Sequence, residues 1–448
     1  MSEARRLFFR FALRAALAVA IAGGLWAGGI PAEFVLFALT LAGVALLHRH
    51  NLQVALAGLA VLTLYKLGFA GFRSGTGLSG LAQHLAHEWV ILANLFALLL
   101  GFALLAKQFE ESRLPLVLPR FLPDDWRGGF LLLVMIFVLS SFLDNIAAAL
   151  IGGSVAGTVF RGRVHIGYLV AIVAASNAGG SGSVVGDTTT TMMWLDGVDP
   201  RDVLEAFVAA GTALVIFGIP AALQQHRHSP ITADAPEGVS IDWPRVTIVA
   251  MILVAAIAAN VSANLFFPAL ADAFPLLGAA VWAVILLTAG WRRPAWESLP
   301  EALKGSIFLL SLILCASYMP VETLPRAGWD TAFGLGFVSA VFDNIPLTTL
   351  ALKQGGYDWG FVAFAVGFGG SMMWFGSSAG VALASVYPQA RSAGLWIRHG
   401  WPVIVAYVAG YFVLLAMQGW HPHAPHKHAA VPAAPQVVQP AQGSGSLR

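Results

Sequence analysis

Long apolar stretches separated by short polar ones run through nearly the whole chain; the first four fall at about 7–23, 31–47, 52–71 and 89–106. A helix of about 20 apolar residues crosses the hydrocarbon core of a bilayer, so each predicts a membrane span. After a polar segment at 107–127 the pattern changes, and two apolar pieces, 129–143 and 146–159, meet at Asp144-Asn145. Each piece makes a helix of about 22 Å at about 1.5 Å per residue, short of the roughly 30 Å of hydrocarbon. The pair predicts a re-entrant hairpin with the carboxylate and the amide at its tip. The next stretch, 164–195, is apolar at both ends but interrupted from Asn177 to Thr188 by Gly, Ser, Asn and Asp. Such a run cannot face lipid as one continuous helix, and it predicts a broken span.

Both features return. Spans at about 203–222, 245–266, 271–290 and 304–319 lead to a second hairpin at 329–352, whose tip is Asp343-Asn344. Phe342-Asp343-Asn344-Ile345-Pro346 repeats the first tip at a displacement of 343 − 144 = 199 residues, with Pro346 suited to the first turn of the returning helix. A second broken span, 358–386, places Gly370 and Gly376 at 190 residues (370 − 180) from Gly180 and Gly186, and a last span follows at about 397–417. The expected fold is an all-α polytopic membrane protein with about eleven transmembrane helices, two re-entrant hairpins and two broken helices. Five crossings separate the hairpins, so they enter from opposite faces and the halves form an inverted repeat. The division expected is 1–106 for N-terminal spans, 107–222 for the first repeat, 223–319 for linker and further spans, 320–418 for the second repeat, and 419–448 for a disordered tail.

Composition agrees: 58% hydrophobic and 11% charged, against about 25% charged in soluble domains. A net charge of +2, with basic residues scattered among loops, excludes a nucleic-acid partner and leaves membrane lipid. The N-terminus, with Arg5, Arg6, Arg10 and Arg14 before an apolar run, mimics a secretory signal and is taken as the first span. With it starting in the cytoplasm, 18 of the 25 Lys and Arg fall on inner segments, as the positive-inside bias requires. The C-terminus is then outside, in what is expected to be a bacterial inner membrane. Lys66 falls within a span, and Cys315 forms no intramolecular disulfide, being the single cysteine.

Ionisable groups inside a membrane are costly and ask for a function. The repeat gathers Asp144, Asn145, Asn177, Asp187, Asp343 and Asn344 near the midplane, with Ser141, Ser181, Thr188, Thr189, Ser371 and Ser377 and the backbone at Gly180 and Gly370 as supporting ligands. Ser183 and Ser378 lie in the same zone. Oxygen ligands suit hard cations such as sodium, and no Lys or Arg occurs at 128–160, 164–200, 327–352 or 354–390. Asp144 and Asp343 are the candidate sodium site and the carboxylates expected to alternate between cation and proton. Burial disfavours an ionised carboxyl and a bound cation favours it, so one group can exchange the two.

Each residue has a plainer reading. Asp144 and Asp343 suit helix caps, Asp187 suits a cap on Thr188–Thr191 as well as it suits ligation, and the glycines suit close helix packing. The glycine-rich run lacks the Gly-Lys-Ser/Thr ending of a phosphate loop, and His84-Leu85-Ala86-His87-Glu88 is not in zinc-protease order and is expected to be an interfacial loop. His421, His423, His426 and His428 fall in the tail, expected to be solvated. No histidine lies in the motif segments; the nearest, His165, opens a span. An enzyme is therefore not expected, nor any cofactor.

Ser140-Ser141-Phe142-Leu143-Asp144-Asn145-Ile146, the segment from Asn177 to Trp194, and Phe342-Asp343-Asn344-Ile345-Pro346 resemble the ion transporter superfamily, particularly its NhaD-type sodium/proton antiporters. The likeness covers roughly 89–417. It departs in having Ala147 where the second hairpin has Pro346. The resemblance implies a secondary transporter exchanging sodium or lithium for protons, and a homodimer with a scaffold and a moving transport domain. Carriers of citrate, other carboxylates and arsenite look similar in architecture and remain the alternative. A carboxylate substrate would need helix N-termini, bound sodium or backbone amides as its positive partner.

Overall fold

The computed structural model describes residues 29–47, 50–73, 75–117, 121–231 and 239–424. The expected first span at 7–23 lies outside them, as does the tail beyond 424. Among the described residues the chain is helical, without a strand. α1 (Ala32–Leu46), α2 (Asn51–Tyr65, continued by a wider turn over Lys66–Ala70) and α3 (Gly77–Glu111) come first. α4 (Trp126–Ser140) turns over 141–144 into α5 (Asn145–Val159). α6 (Ile166–Ser181) is separated by 182–187 from α7 (Thr188–Leu195). α8 (Ala206–His228), α9 (Trp243–Phe266), α10 (Leu276–Thr288) and α11 (Leu299–Ser317) follow. The second set repeats the first: α12 (Trp329–Ser339) turns into α13 (Asn344–Gln354), and α14 (Trp359–Gly369) is broken from α15 (Ser378–Val386) before α16 (Ala393–Gln418).

Among the described residues, five helical stretches are long and apolar enough to cross a membrane: Asn51–Ala70, Gly77–Glu111, Pro200–His228, Trp296–Ser317 and Ala393–Gln418. The helices of the two turns and two breaks are shorter, because Asp144, Asp187, Asp343 and Ser377 start new helices inside what would otherwise be single spans.

α6 and α14 sit at the centre. Every residue of each is buried, which fits their nearly unbroken apolar and small-residue sequences: a helix apolar all round needs cover all round. α6 is surrounded by α4, α5, α8, α14 and α16, and α14 packs on α12 and α8. The halves are exchanged at their short helices, α5 lying on α15 and α7 on α13. Tyr387, just past α15, ties this contact by donating to the Gly153 carbonyl of α5 at 2.7 Å. To one side, α3 packs with α9, α10 and α11, and α2 with α1 and α11. This layer meets the central bundle where α11 lies on α13 and where α3 touches α5 and α7. Lys66, the basic residue within a span, is buried and paired with buried Glu33 at 3.6 Å.

Three expectations are corrected. His84–Glu88 is not a loop but part of the 35-residue α3, with His84 and Glu88 buried. The first broken span stays helical through Ser181, so Gly179 and Gly180 do not mark the break. Gly179 is there for packing: a Cβ would stand 2.0 Å from the Phe137 carbonyl oxygen, and at the equivalent Gly369 it would stand 2.4 Å from that of Gly336. The tail is also held as far as His423, whose ring lies 3.7 Å from Asp202 and whose carbonyl accepts from Trp359 at 2.8 Å.

Candidate functional site

Two turns and two breaks meet at one place, and the backbone builds it with paired contacts. Ser140 donates to the Ser176 carbonyl at 2.6 Å, and its equivalent Ser339 donates to that of Val366 at 2.7 Å. Each turn is thereby pinned to the broken helix of its own half. Ser141 adds a bond to the Gly179 carbonyl at 3.0 Å. Gly180 and Gly370 face Gly186 and Gly376 across the breaks, where a Cβ would stand 2.8 and 2.7 Å from their carbonyl oxygens.

Polar side chains fill the centre unequally. The Asn145 amide donates to Asn177 Oδ1 at 3.1 Å and to Asp187 Oδ2 at 3.3 Å, and Asn344 donates to the same Asp187 oxygen at 3.5 Å. Asn177 donates to Ser371 and Ser377, both at 3.0 Å. Asn145, Asn177, Asp187, Asn344, Ser371 and Ser377 thus form one network joining the two halves, and all are buried. Asp187 also caps α7 by accepting from Thr189 N at 3.2 Å, so capping and a place in the site are not exclusive. The equivalents of Asn177 and Asp187 in the second half are Gly367 and Ser377. Gly367 has a reason to be bare, because a Cβ there would lie 3.2 Å from Ser181 Cβ and 3.6 Å from Asp187 Oδ2.

Asp144 and Asp343 hold the N-cap positions of α5 and α13 and are half-buried. Asp343 caps Ile345 N at 3.1 Å and accepts from Ser378 at 3.3 Å. They open onto different cavities. One of about 250 Å³ is lined by Asp144, Asp187, Thr188 and Thr191, and one of about 380 Å³ by Asp343, Ser378 and Glu301; Ile146, Gly305 and Leu309 line both. Asp187 stands within electrostatic reach of both carboxylates. Ser181 and Ser183 are turned to carbonyls, of Ala178 at 2.8 Å and Ser141 at 2.6 Å, and brace the breaks.

The charge balance of this zone is specific. Four helices begin here (α5, α7, α13, α15) and four end here (α4, α6, α12, α14). Terminal dipole charges of roughly +0.5 and −0.5 each nearly cancel, leaving three carboxyl groups. No Lys or Arg lines either cavity. The zone calls for cations or protons rather than an anion.

No family model matches the chain. It is 27% identical over 351 residues to "Sodium/proton antiporter 1" of Arabidopsis thaliana, covering 68% of this chain and 58% of that protein. It is 27% identical over 349 residues to "Na(+)/H(+) antiporter NhaD" of Alkalimonas amylolytica, covering 66% of this chain and 68% of that one. The chain resembles NhaD-type sodium/proton antiporters. The protein of the same name from Vibrio parahaemolyticus is 26% identical over 355 residues, covering 65% of this chain and 79% of its own length. The chain therefore spans under two thirds of the Arabidopsis protein and more of the two bacterial ones.

The sequence alone names every residue of this network, but its cap reading places Asp187 below Asp144 and Asp343. Ser140, Ser339 and Gly367 lie within the motifs, but no role is assigned to them there. The displacements of 199 and 190 contain the signal for all three: two equivalent serines, and one glycine facing an asparagine.

Proposed function

We propose that this protein is a secondary transporter exchanging sodium or lithium for protons, with Asp144, Asp187 and Asp343 as the carboxylates that trade one for the other. The carrying observation is the three-carboxyl zone with cancelling helix dipoles and no basic side chain. The names of the relatives point the same way. A carboxylate substrate would add negative charge to a zone already negative, so the citrate-type alternative ranks below.

In this reading α4–α5 and α12–α13 are re-entrant hairpins entering from opposite faces, within about eleven spans, the N-terminus being cytoplasmic. The bundle of hairpins and broken helices moves against the layer of α3 and α11, which carries the cation from one side to the other. Asn145 and Asn344 hold Asp187 in place, Asn177 holds Asn145, and all three supply amide oxygens to a cation when they turn. Ser371, Ser377, Thr188 and Thr189 add hydroxyl oxygens.

Sodium-driven proton movement in inside-out vesicles tests the proposal. Asp144→Asn, Asp187→Asn and Asp343→Asn should each abolish it while leaving the protein folded; near-normal exchange in all three would refute the assignment.

A further inference from the structure

Two cavities lie end to end along the boundary between the α3/α11 layer and the bundle. The first, about 370 Å³, is lined by His84, Glu88 and Ile91 of α3, Ile313 and Ser317 of α11, and Met192, Thr349 and Lys353 of the bundle. The second is the 250 Å³ cavity that reaches Asp144 and Asp187; it takes over at Leu95 on α3, Leu309 on α11 and Thr191 on α7. About one turn of α3 and of α11 separates them, and on α7 the adjacent Met192 and Thr191 line one each. The three carboxylates line the second cavity or its neighbour, and none lines the first.

At the first cavity an ion pair crosses the boundary. Glu88 sits on α3, which packs with α9, α10 and α11. Lys353 sits in the last turn of α13, whose first residue, Asn344, donates to Asp187. Lys353 Nζ is 2.5 Å from Glu88 Oε1, with only 21% and 10% of the side chains exposed. Lys66 with Glu33, Arg245 with Glu111, and Arg292 with Asp242 stay within the layer, and His423 with Asp202 stays within the bundle. His84, one turn before Glu88, is bonded to Ser317 of α11 at 2.8 Å and so belongs to the layer too.

We propose that Glu88 and Lys353 form a latch that holds the bundle against the layer in the state seen here, closing the first cavity to the site while the second is open. Turning Asp144 and Asp187 from the second cavity to the first slides α7 and α13 past α3, and Lys353 must leave Glu88. A carboxylate this buried is poorly hydrated, so parting the pair opposes the movement. The latch rests on the alternating movement proposed above but not on the identity of the ion.

The test uses the full chain with Cys315→Ala and one reporter cysteine, at Ile91 in the first cavity or Ala103 in the second, modified by a membrane-impermeant maleimide. Glu88→Gln should speed modification at position 91 at least threefold and slow it at position 103. Lys353→Met should do the same, which guards against one variant folding poorly. The exchange of charges, Glu88→Lys with Lys353→Glu, should bring both rates back to within twofold of the parent. Rates unchanged by either single variant, rates rising together at both positions, or no recovery on charge exchange would each overturn the latch. Labelling that shifts as expected in a protein without sodium/proton exchange would keep the latch and reject the function.

Discussion

Asp187 shows how a residue's role depends on what faces it. Its own sequence reads as a helix cap, and it is one; two asparagine amides from different turns also reach its other oxygen. The bare Gly367 lies beside it, and a Cβ there would touch its Oδ2 at 3.6 Å and crowd Ser181 at 3.2 Å. Gly179 makes a sharper case, since the added carbon of alanine would overlap the Phe137 carbonyl, 2.0 Å away. Gly179→Ala should cost on the order of 1–3 kcal/mol or more through overpacking, whereas Gly211→Ala, with nothing within 4 Å, should be neutral or slightly stabilising. Thermal unfolding of the two purified variants in detergent checks this, and equal melting temperatures would contradict the packing role.

Among elements, the unit is a helical turn clasped to a broken helix, made twice. The clasp is the serine at the end of α4 or α12, bonded to a carbonyl of α6 or α14 at 2.6 or 2.7 Å. Each hydroxyl is fully buried, so Ser140→Ala and Ser339→Ala should each cost about 0.5–1.5 kcal/mol, the net worth of one hydrogen bond. Equivalent geometry predicts similar costs, measured as shifts in unfolding midpoint; a large loss for one and none for the other would mean that the two clasps are not equivalent. The short helices need this support: α7 has 8 residues and α15 has 9, below the length at which an isolated helix is stable.

At the scale of the molecule, eight helix ends of opposite sign meet around three carboxyl groups and leave a negative zone without a basic side chain. If cation and proton compete for those groups, half-saturation for sodium should fall about tenfold per pH unit as pH rises toward the pKa of the free site, for a one-proton exchange. The sign follows from mass action: protons occupy the site at low pH and must leave before sodium binds. Above that pKa the dependence should flatten. Exchange rates measured over sodium concentration at several pH values give the slope, and half-saturation independent of pH at constant maximal rate would remove competition as the mechanism.

The sequence by itself determined the helical membrane class, both turns, both breaks and the matched Asp-Asn tips, because hydrophobic length and intramembrane charge are local properties. It also determined that the site is acidic, since the absence of Lys and Arg over whole segments is visible in one dimension. The long α3 was not legible: His84 and Glu88 look like a polar loop until Ser317 and Lys353, more than 230 residues away, are found as their partners. The extent of each break was hidden too, because glycine serves an unwound backbone and a close helix contact equally well, and only the neighbouring carbonyl distinguishes them. Tertiary structure alone decided that Asp187 joins Asn145 and Asn344 and that Asp144 and Asp343 open onto separate cavities. Those facts depend on how α5 crosses to α15 and α13 to α7, a pairing between halves set by packing.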